Sequence, residues 1–263
     1  MGEKEYVFRR DWDGIAILTM NRPESRNALS LGMISALQCQ FELIAQDKSI
    51  KVVILSGSGT AFCAGHDLKE MKYQNFDLSY SEKLFANCTV LMQKMLRLPQ
   101  PVIAQVHGYA TAAGVQLVAS ADLAVATTNS QFATPGVNIG LFCSTPMVAV
   151  SRNISNKHAM QMLLLGDLID ANTAYRFGLI NEVVEPDELE DYTLSMAKKI
   201  AEKSYPIISL GKEAFYRQSE LSIDDAYSYA SDVMKKNLEM HDAREGISAF
   251  IEKRPPIWKS SSN

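Results

Sequence analysis

The run Val52-Val53-Ile54-Leu55 contains no polar residue and is closed by Gly57 and Gly59, and a second short apolar run spans Val102 to Val106. Strands without polar alternation have no face to offer water, so they belong in a sheet buried on both sides. Each run follows a helical segment. Met33, Leu37, Phe41 and Ile44 recur at helical spacing between Leu31 and Asp47, and a second helix is expected near Ser81 to Leu98, ended by Pro99. This alternation points to an α/β fold assembled from βαβ-type units. The chain opens with a hairpin signal, Tyr6 to Arg10, a turn at Asp13-Gly14, then Ile15 to Met20. Beyond about Pro146 the pattern becomes helical, with segments at Lys157 to Leu165, Asp187 to Glu202, Ile207 to Ser219, Ser222 to Asn237 and His241 to Lys253. At 263 residues and 47% hydrophobic content, one main domain over 1–200 with a helical region over 201–263 is expected.

Composition narrows the partners. A net charge of -4 gives no basic face for nucleic acid or an anionic membrane surface. No stretch reaches the roughly 18 apolar residues of a membrane span, and the start MGEKEYVFRRDWDG lacks the apolar core of a secretory signal. Cys39, Cys63, Cys88 and Cys143 lie far apart without a CxxC pair, so no disulfide framework and no metal site is expected. Reduced thiols suit a cytoplasmic setting, and a mitochondrial matrix protein from a eukaryote would read the same way.

Two loops could carry chemistry. SGSGTAFCAGHDLKEM follows the first buried strand and HGYATAAGVQL the second, and their small residues let backbone approach a ligand closely. A helix starting at Gly114 would leave the Ala113 amide at its positive end. Two such amides facing each other would form an oxyanion hole. Spacing alone also fits tight strand-to-helix connections that hold no ligand.

The segments NRPESRNALS, AFCAGHDLKEM and VHGYATAAGVQLVASADLAVA, joined by QFATPGVNIG and ISAFIEKRPPIW, resemble the enoyl-CoA hydratase/isomerase (crotonase) family over nearly the whole chain. GHDLKE, FATPGVN and GLFCSTP are similar to its enoyl-CoA hydratase domain-containing group. The resemblance implies the crotonase (ClpP-like) fold, a spiral of ββα units with a C-terminal helical trimerisation region, assembled as a homotrimer or hexamer. It implies an acyl-CoA or enoyl-CoA substrate in fatty-acid metabolism, with coenzyme A entering as part of the substrate and no tightly bound cofactor. By position, the oxyanion amides fall on His66 and Ala113. Arg26, Asn27 and Ala28, with Ala64, His66, Asp67, Leu68 and Lys69, fall on the coenzyme A pocket, and Phe250 and Lys253 on positions that reach a neighbouring subunit's coenzyme A. The C-terminal pair also fits an ordinary amphipathic helix end.

The family's hydratases use two glutamates, and this chain has Gln116 and Gly136 at those positions. Glutamine orients water but cannot take its proton, and glycine offers no side chain. Each acid–base group contributes about 10²- to 10⁴-fold. Of the possible substitutes, Asp122 and His107 read as structural, and Tyr109 is a further titratable candidate. Cys143 and Ser144 have no base at a suitable spacing, while His66 lies in the oxyanion loop itself. Thr134 and Gln116 could hold a bicarbonate-like anion, as some naphthoate-synthase-type relatives do. Three functions therefore remain: a hydratase/isomerase with an altered acid–base set, a thioester hydrolase or carbon–carbon bond enzyme, and a non-catalytic acyl-CoA binder.

Overall fold

The computed structural model describes residues 5–259. Val7–Trp12 (β1) and Ile15–Met20 (β2) pair antiparallel, with Trp12 opposite Ile15. Asp13 and Gly14 between them take φ of 47° and 77°. Positive φ at both central residues is the geometry of a two-residue turn whose twist matches the strands it joins.

The chain continues through Leu31–Gln46 (α1), Val52–Gly57 (β3), Ala61–Cys63 (β4), Leu68–Tyr73 (α2), Leu78–Arg97 (α3), Val102–Val106 (β5) and Tyr109–Thr111 (β6). Ala113–Ser120 (α4), Leu123–Thr127 (β7), Gln131–Ala133 (β8), Ser144–Asn153 (α5), Asn156–Leu165 (α6), Ile169–Asp170 (β9), Ala171–Phe177 (α7), Glu182–Val184 (β10) and Leu189–Ala201 (α8) follow. Tyr205–Gln218 (α9), Ile223–Glu239 (α10) and His241–Glu252 (α11) close it.

The strands form two sheets, one ordered β1-β2-β3-β5-β7-β10 and a smaller one ordered β4-β6-β8-β9. Each pair β3/β4, β5/β6 and β7/β8 sends its first strand to the large sheet and its second to the small one before the chain turns into helix. That is the expected spiral of ββα units. From β2 onward the large sheet is parallel, and β3 is buried from Val52 to Leu55, as its unbroken apolar run requires.

Local capping sets the helix limits. Ser30 accepts a hydrogen bond from the Met33 amide (3.2 Å), and Glu70 accepts one from the Leu31 amide (3.2 Å), so α1 starts with two of its free donors satisfied. Its face Met33, Ile34, Leu37, Phe41 and Ile44 is buried in the main core. Each such side chain contributes about 1.5–3 kcal/mol relative to exposure. Helix α3 begins at Leu78, ahead of the expected Ser81, because Asp77 accepts from the Tyr80 amide at 2.9 Å.

Asp122 has the structural role expected of it. Its carboxylate accepts from the Val102 amide (2.7 Å), Lys212 Nζ (2.6 Å) and the Tyr216 hydroxyl (2.8 Å). Lys212 Nζ also donates to the Met95 and Gln100 carbonyls, both at 3.0 Å, so α9 is bolted to β5 and the end of α3. All four cysteines are free thiols, and no helix among the described residues is long and apolar enough to cross a membrane.

Candidate active site

The two chemical loops meet because glycine stands at both points of contact. A β-carbon on Gly65, which takes φ of 89°, would lie 2.9 Å from Ala112 Cβ and 3.2 Å from the Ala113 nitrogen. One on Gly114 would lie 2.1 Å from the Cys63 carbonyl oxygen. Real β-carbons do not tolerate such distances, so only glycine lets the end of β4 touch the start of α4.

Leu29 fixes the first loop from behind. Its amide donates to the Gly65 carbonyl (2.7 Å), and its carbonyl accepts from the Asp67 amide (3.3 Å). In such a parallel bridge the residue between those two partners points its own amide to the opposite side, which leaves the His66 N–H directed away from Leu29. Ala113 is the first residue of α4, where amides have no intrahelical acceptor. Among the described residues neither the His66 nor the Ala113 amide donates to a backbone carbonyl. The structure thus seats the Gly65–His66 loop against the first residue of α4.

Ala112 carries strain at this junction, with φ of 51° and ψ of -114°. Such backbone is sparsely populated by residues with a β-carbon. Its amide donates to the Ala133 carbonyl (2.9 Å), and its carbonyl accepts from the Gln116 amide (3.1 Å).

The His66 imidazole packs edge-on to Phe85, with ring centroids 5.3 Å apart, and both ring nitrogens are buried without a hydrogen-bond partner. Burial holds its pKa below the ordinary histidine value, and the nearby Leu29 carbonyl opposes that only in part. Gln116 Oε1 and Thr134 Oγ1 are likewise buried without partners. At Gly136 a β-carbon would lie 2.9 Å from the Leu141 carbonyl oxygen and 3.0 Å from Cys143 Sγ. The GLFC turn therefore fills the space a side chain at 136 would need.

Burial raises the Cys143 pKa more than the Gly136 backbone lowers it, and the Ser144 hydroxyl donates to the Phe142 carbonyl (3.4 Å). Neither is an activated nucleophile. His107 Nε2 bonds the Gly59 carbonyl at 3.0 Å, a structural contact, and Tyr109 is exposed.

The residues assigned to coenzyme A divide into groups. Arg26 has an exposed side chain and φ of 50°, and its carbonyl accepts from the Ala64 amide (3.0 Å). Asn27 is fully buried: its Oδ1 accepts from the Arg22 amide, while its Nδ2 donates to the Ser58 and Ala61 carbonyls. Its side chain shapes the loop and has no reach left for a ligand. Asp67 is similarly committed, accepting from the Lys69 and Glu70 amides to cap α2 and from Arg22 Nη1 at 3.0 Å. Ala28 is buried, and Leu68 and Lys69 are exposed beside it in the same loop cluster. Phe250 and Lys253 stand exposed on and just after α11, with no hydrogen bond or ion pair to that cluster among the described residues.

Two further residues, Arg22 and Thr111, hold the loops in place. Arg22 ties Asp67, Ala28 and Ser25 together. Thr111, the last residue of β6, donates its hydroxyl to the carbonyl of Ala64, the residue after β4, at 3.0 Å. Arg22 lies inside the NRPESRNALS segment, but nothing in its spacing separates a structural arginine there from a ligand contact.

Residues 10–261 match the enoyl-CoA hydratase/isomerase family. The chain belongs to that family. It groups with enoyl-CoA hydratase domain-containing protein 3, mitochondrial, of which the Xenopus laevis protein is 47% identical over 94% of this chain and 84% of that protein. The solved human enoyl-CoA hydratase domain-containing protein 3 superposes with a TM-score of 0.93 at 45% identity, covering 96% of this chain and 100% of that one. An enoyl-CoA hydratase from Mycobacterium smegmatis gives a TM-score of 0.94 at 50% identity, covering 97% and 99%. Family membership accounts for the spiral fold.

Proposed function

We propose that the chain acts on acyl-CoA thioesters, holding the thioester oxygen between the His66 and Ala113 amides and stabilising it as an enolate. The observation that carries this reading is the seating of Gly65 against Ala113, with a glycine β-carbon position only 3.2 Å from the Ala113 nitrogen. Paired donors of this kind bind a developing oxyanion more strongly than a neutral carbonyl, and losing one costs about 2.7–4 kcal/mol. The exposed side chains of Arg26, Leu68 and Lys69, beside the backbone of Ala28, Ala64 and Asp67, supply the contact surface for coenzyme A, which enters as substrate.

The reaction class is the hydratase/isomerase one, a lyase chemistry run with Gln116 in place of one glutamate and no side chain at Gly136. Residues 1–200 form the catalytic core in this reading. Residues 201–263 form the assembly region of a homotrimer or hexamer, in which Phe250 and Lys253 meet a neighbour's coenzyme A. Four free thiols suit a reducing compartment, the cytoplasm or, in a eukaryote, the mitochondrial matrix.

A second reading, acyl-CoA binding without hydration, draws support from Gly136. The Leu141 carbonyl and Cys143 sulfur crowd the place where the second carboxylate would emerge. Mass-spectrometric turnover of crotonyl-CoA and a panel of longer enoyl-CoAs tests the pair, with wild type beside Gln116→Glu. Enzyme-like hydration by wild type supports the first reading. Binding without product in wild type, with hydration gained in Gln116→Glu, supports the second. Absence of binding by any thioester overturns both.

A further inference from the structure

We propose that the cleft between the large sheet and α8, lined by Thr19, Ser56 and Gln105, binds an uncharged planar heterocycle or amide that presents a hydrogen-bond donor beside an acceptor. The site lies on the α8 face of the large sheet, opposite the face that packs on α1, and does not depend on the acyl-CoA reading.

The cavity there measures about 280 Å³, just below the roughly 300–1,000 Å³ usual for small-molecule sites. Strand register brings its polar residues into one row. Thr19 pairs with Ser56, and because Leu55 pairs with Ala104, Ser56 stands beside Gln105. Phe8, opposite Thr19, extends the row to β1. Thr19, Ser56 and Gln105 are each the last residue but one of their strands. The row therefore crosses the carboxyl ends of three parallel strands, the place where open α/β sheets hold ligands. The preceding row on the same face is Ile17, Ile54 and Ile103, which packs on α8 as an ordinary apolar layer. A merely wet sheet face would leave the polar row open to solvent, whereas Ser56 is only 6% exposed and Gln105 is part-buried.

The chemistry of the lining limits the occupant. The Thr19 and Ser56 hydroxyls are 3.0 Å apart, and Ser56 also donates to the Leu18 carbonyl (3.4 Å). Thr19 therefore donates to Ser56 and keeps lone pairs for a ligand's donor. The Gln105 side-chain amide has no partner among the described residues. It offers a donor and an acceptor side by side, the arrangement with which glutamine pairs to the edge of adenine. Phe8 adds aromatic surface on which a flat ring stacks. The charges at the cleft are already matched. Arg10 donates to Glu190 at 3.2 Å, and Arg9 holds Asp11 through two bonds of 2.8 and 2.7 Å. A phosphate or carboxylate would have to displace one of these acidic side chains, so an uncharged ligand fits.

Isothermal titration of the full chain with adenosine, uridine and nicotinamide, each with and without saturating coenzyme A, tests this. At least one of the three is expected to bind saturably, one per chain, with coenzyme A present. Its affinity should fall about tenfold or more in Gln105→Leu, the loss expected for two hydrogen bonds. Gln105→Glu, which keeps the side chain's shape and removes its donor, should weaken binding as well, and it decides where Gln105→Leu does not fold. Absence of saturable binding by all three overturns the proposal. Binding abolished by coenzyme A also overturns it, because the probe then occupies the coenzyme A loops. An affinity unchanged in the Gln105 variants overturns the assignment to this cleft. AMP, UMP or nicotinate binding tighter than its uncharged counterpart overturns the uncharged class.

Discussion

At Ala112 a β-carbon is forced into backbone space that glycine occupies freely, at φ of 51° and ψ of -114°. Backbone strain of this kind costs about 1–3 kcal/mol, while replacing alanine by glycine loosens the unfolded chain by about 0.4–1 kcal/mol. The first effect is the larger. Ala112→Gly is therefore expected to stabilise the protein by about 1 kcal/mol, read as a higher midpoint in urea, and a lower midpoint would show that the strain is not real. His66 gives a second expectation. Its folded pKa lies below the ordinary value of 6.5 because burial disfavours the imidazolium. Below pH 6.5 the unfolded chain binds a proton that the folded chain resists, so this residue makes stability fall as pH drops through that value and has no effect well above it. Urea midpoints of wild type and His66→Phe at pH 8 and pH 5.5 should diverge on acidification, wild type losing more. Parallel curves would mean that His66 takes up its proton freely in the fold.

Among the elements, α9 shows how a helix from the end of the chain is held to the parallel sheet. Lys212 and Asp122 are 90 residues apart in sequence and meet at 2.6 Å, with every donor of the ammonium used. Burial lowers the Lys212 pKa, and the Asp122 charge and hydrogen bond oppose that only in part. Removing one partner of a buried pair leaves the other charge uncompensated, a loss of about 3–5 kcal/mol. Lys212→Met should cost that much in unfolding experiments, whereas Lys212→Met with Asp122→Asn should recover part of it, and additive losses in the double variant would rule out coupling. The sequence suggested that Asp122 is structural but could not name its partner, because no periodicity links residues so far apart. The same limit applies to the small sheet. Ala61–Cys63, Tyr109–Thr111 and Gln131–Ala133 are three residues each, too short for a strand pattern, while β3 and β5 announced themselves as unbroken apolar runs. Glycines 65 and 114 were legible as points of close approach. The strained Ala112 was not, since alanine carries no mark of positive φ, and neither was the crowding at Gly136, which depends on how the GLFC turn folds back.

For the molecule as a whole, the helices after the last strand leave a face that one chain does not cover. Ile223, Tyr227, Met234 and Leu238 recur at intervals of four, seven and four residues along α10 and are 70%, 71%, 58% and 51% exposed. That spacing puts them on one stripe of the helix. Phe215 on α9 and Phe250 on α11 add further exposed aromatic surface, at 63% and 83%. Isolated apolar residues on a surface are ordinary, but a continuous stripe flanked by more aromatics marks a surface for association. The homotrimer or hexamer proposed above would cover it and would carry Phe250 and Lys253 to a neighbouring subunit. Light scattering of the wild type is expected to give three or six times the chain mass, and Tyr227→Glu with Met234→Glu to give one. Coenzyme A affinity separates the two roles of this region. If Phe250 and Lys253 touch a neighbour's ligand, the monomeric variant binds coenzyme A more weakly than wild type, and Lys253→Ala weakens binding while leaving the assembly intact. A wild-type chain that scatters as a monomer would remove the assembly. Undiminished affinity in the monomeric variant would confine the coenzyme A site to the loops of a single protomer.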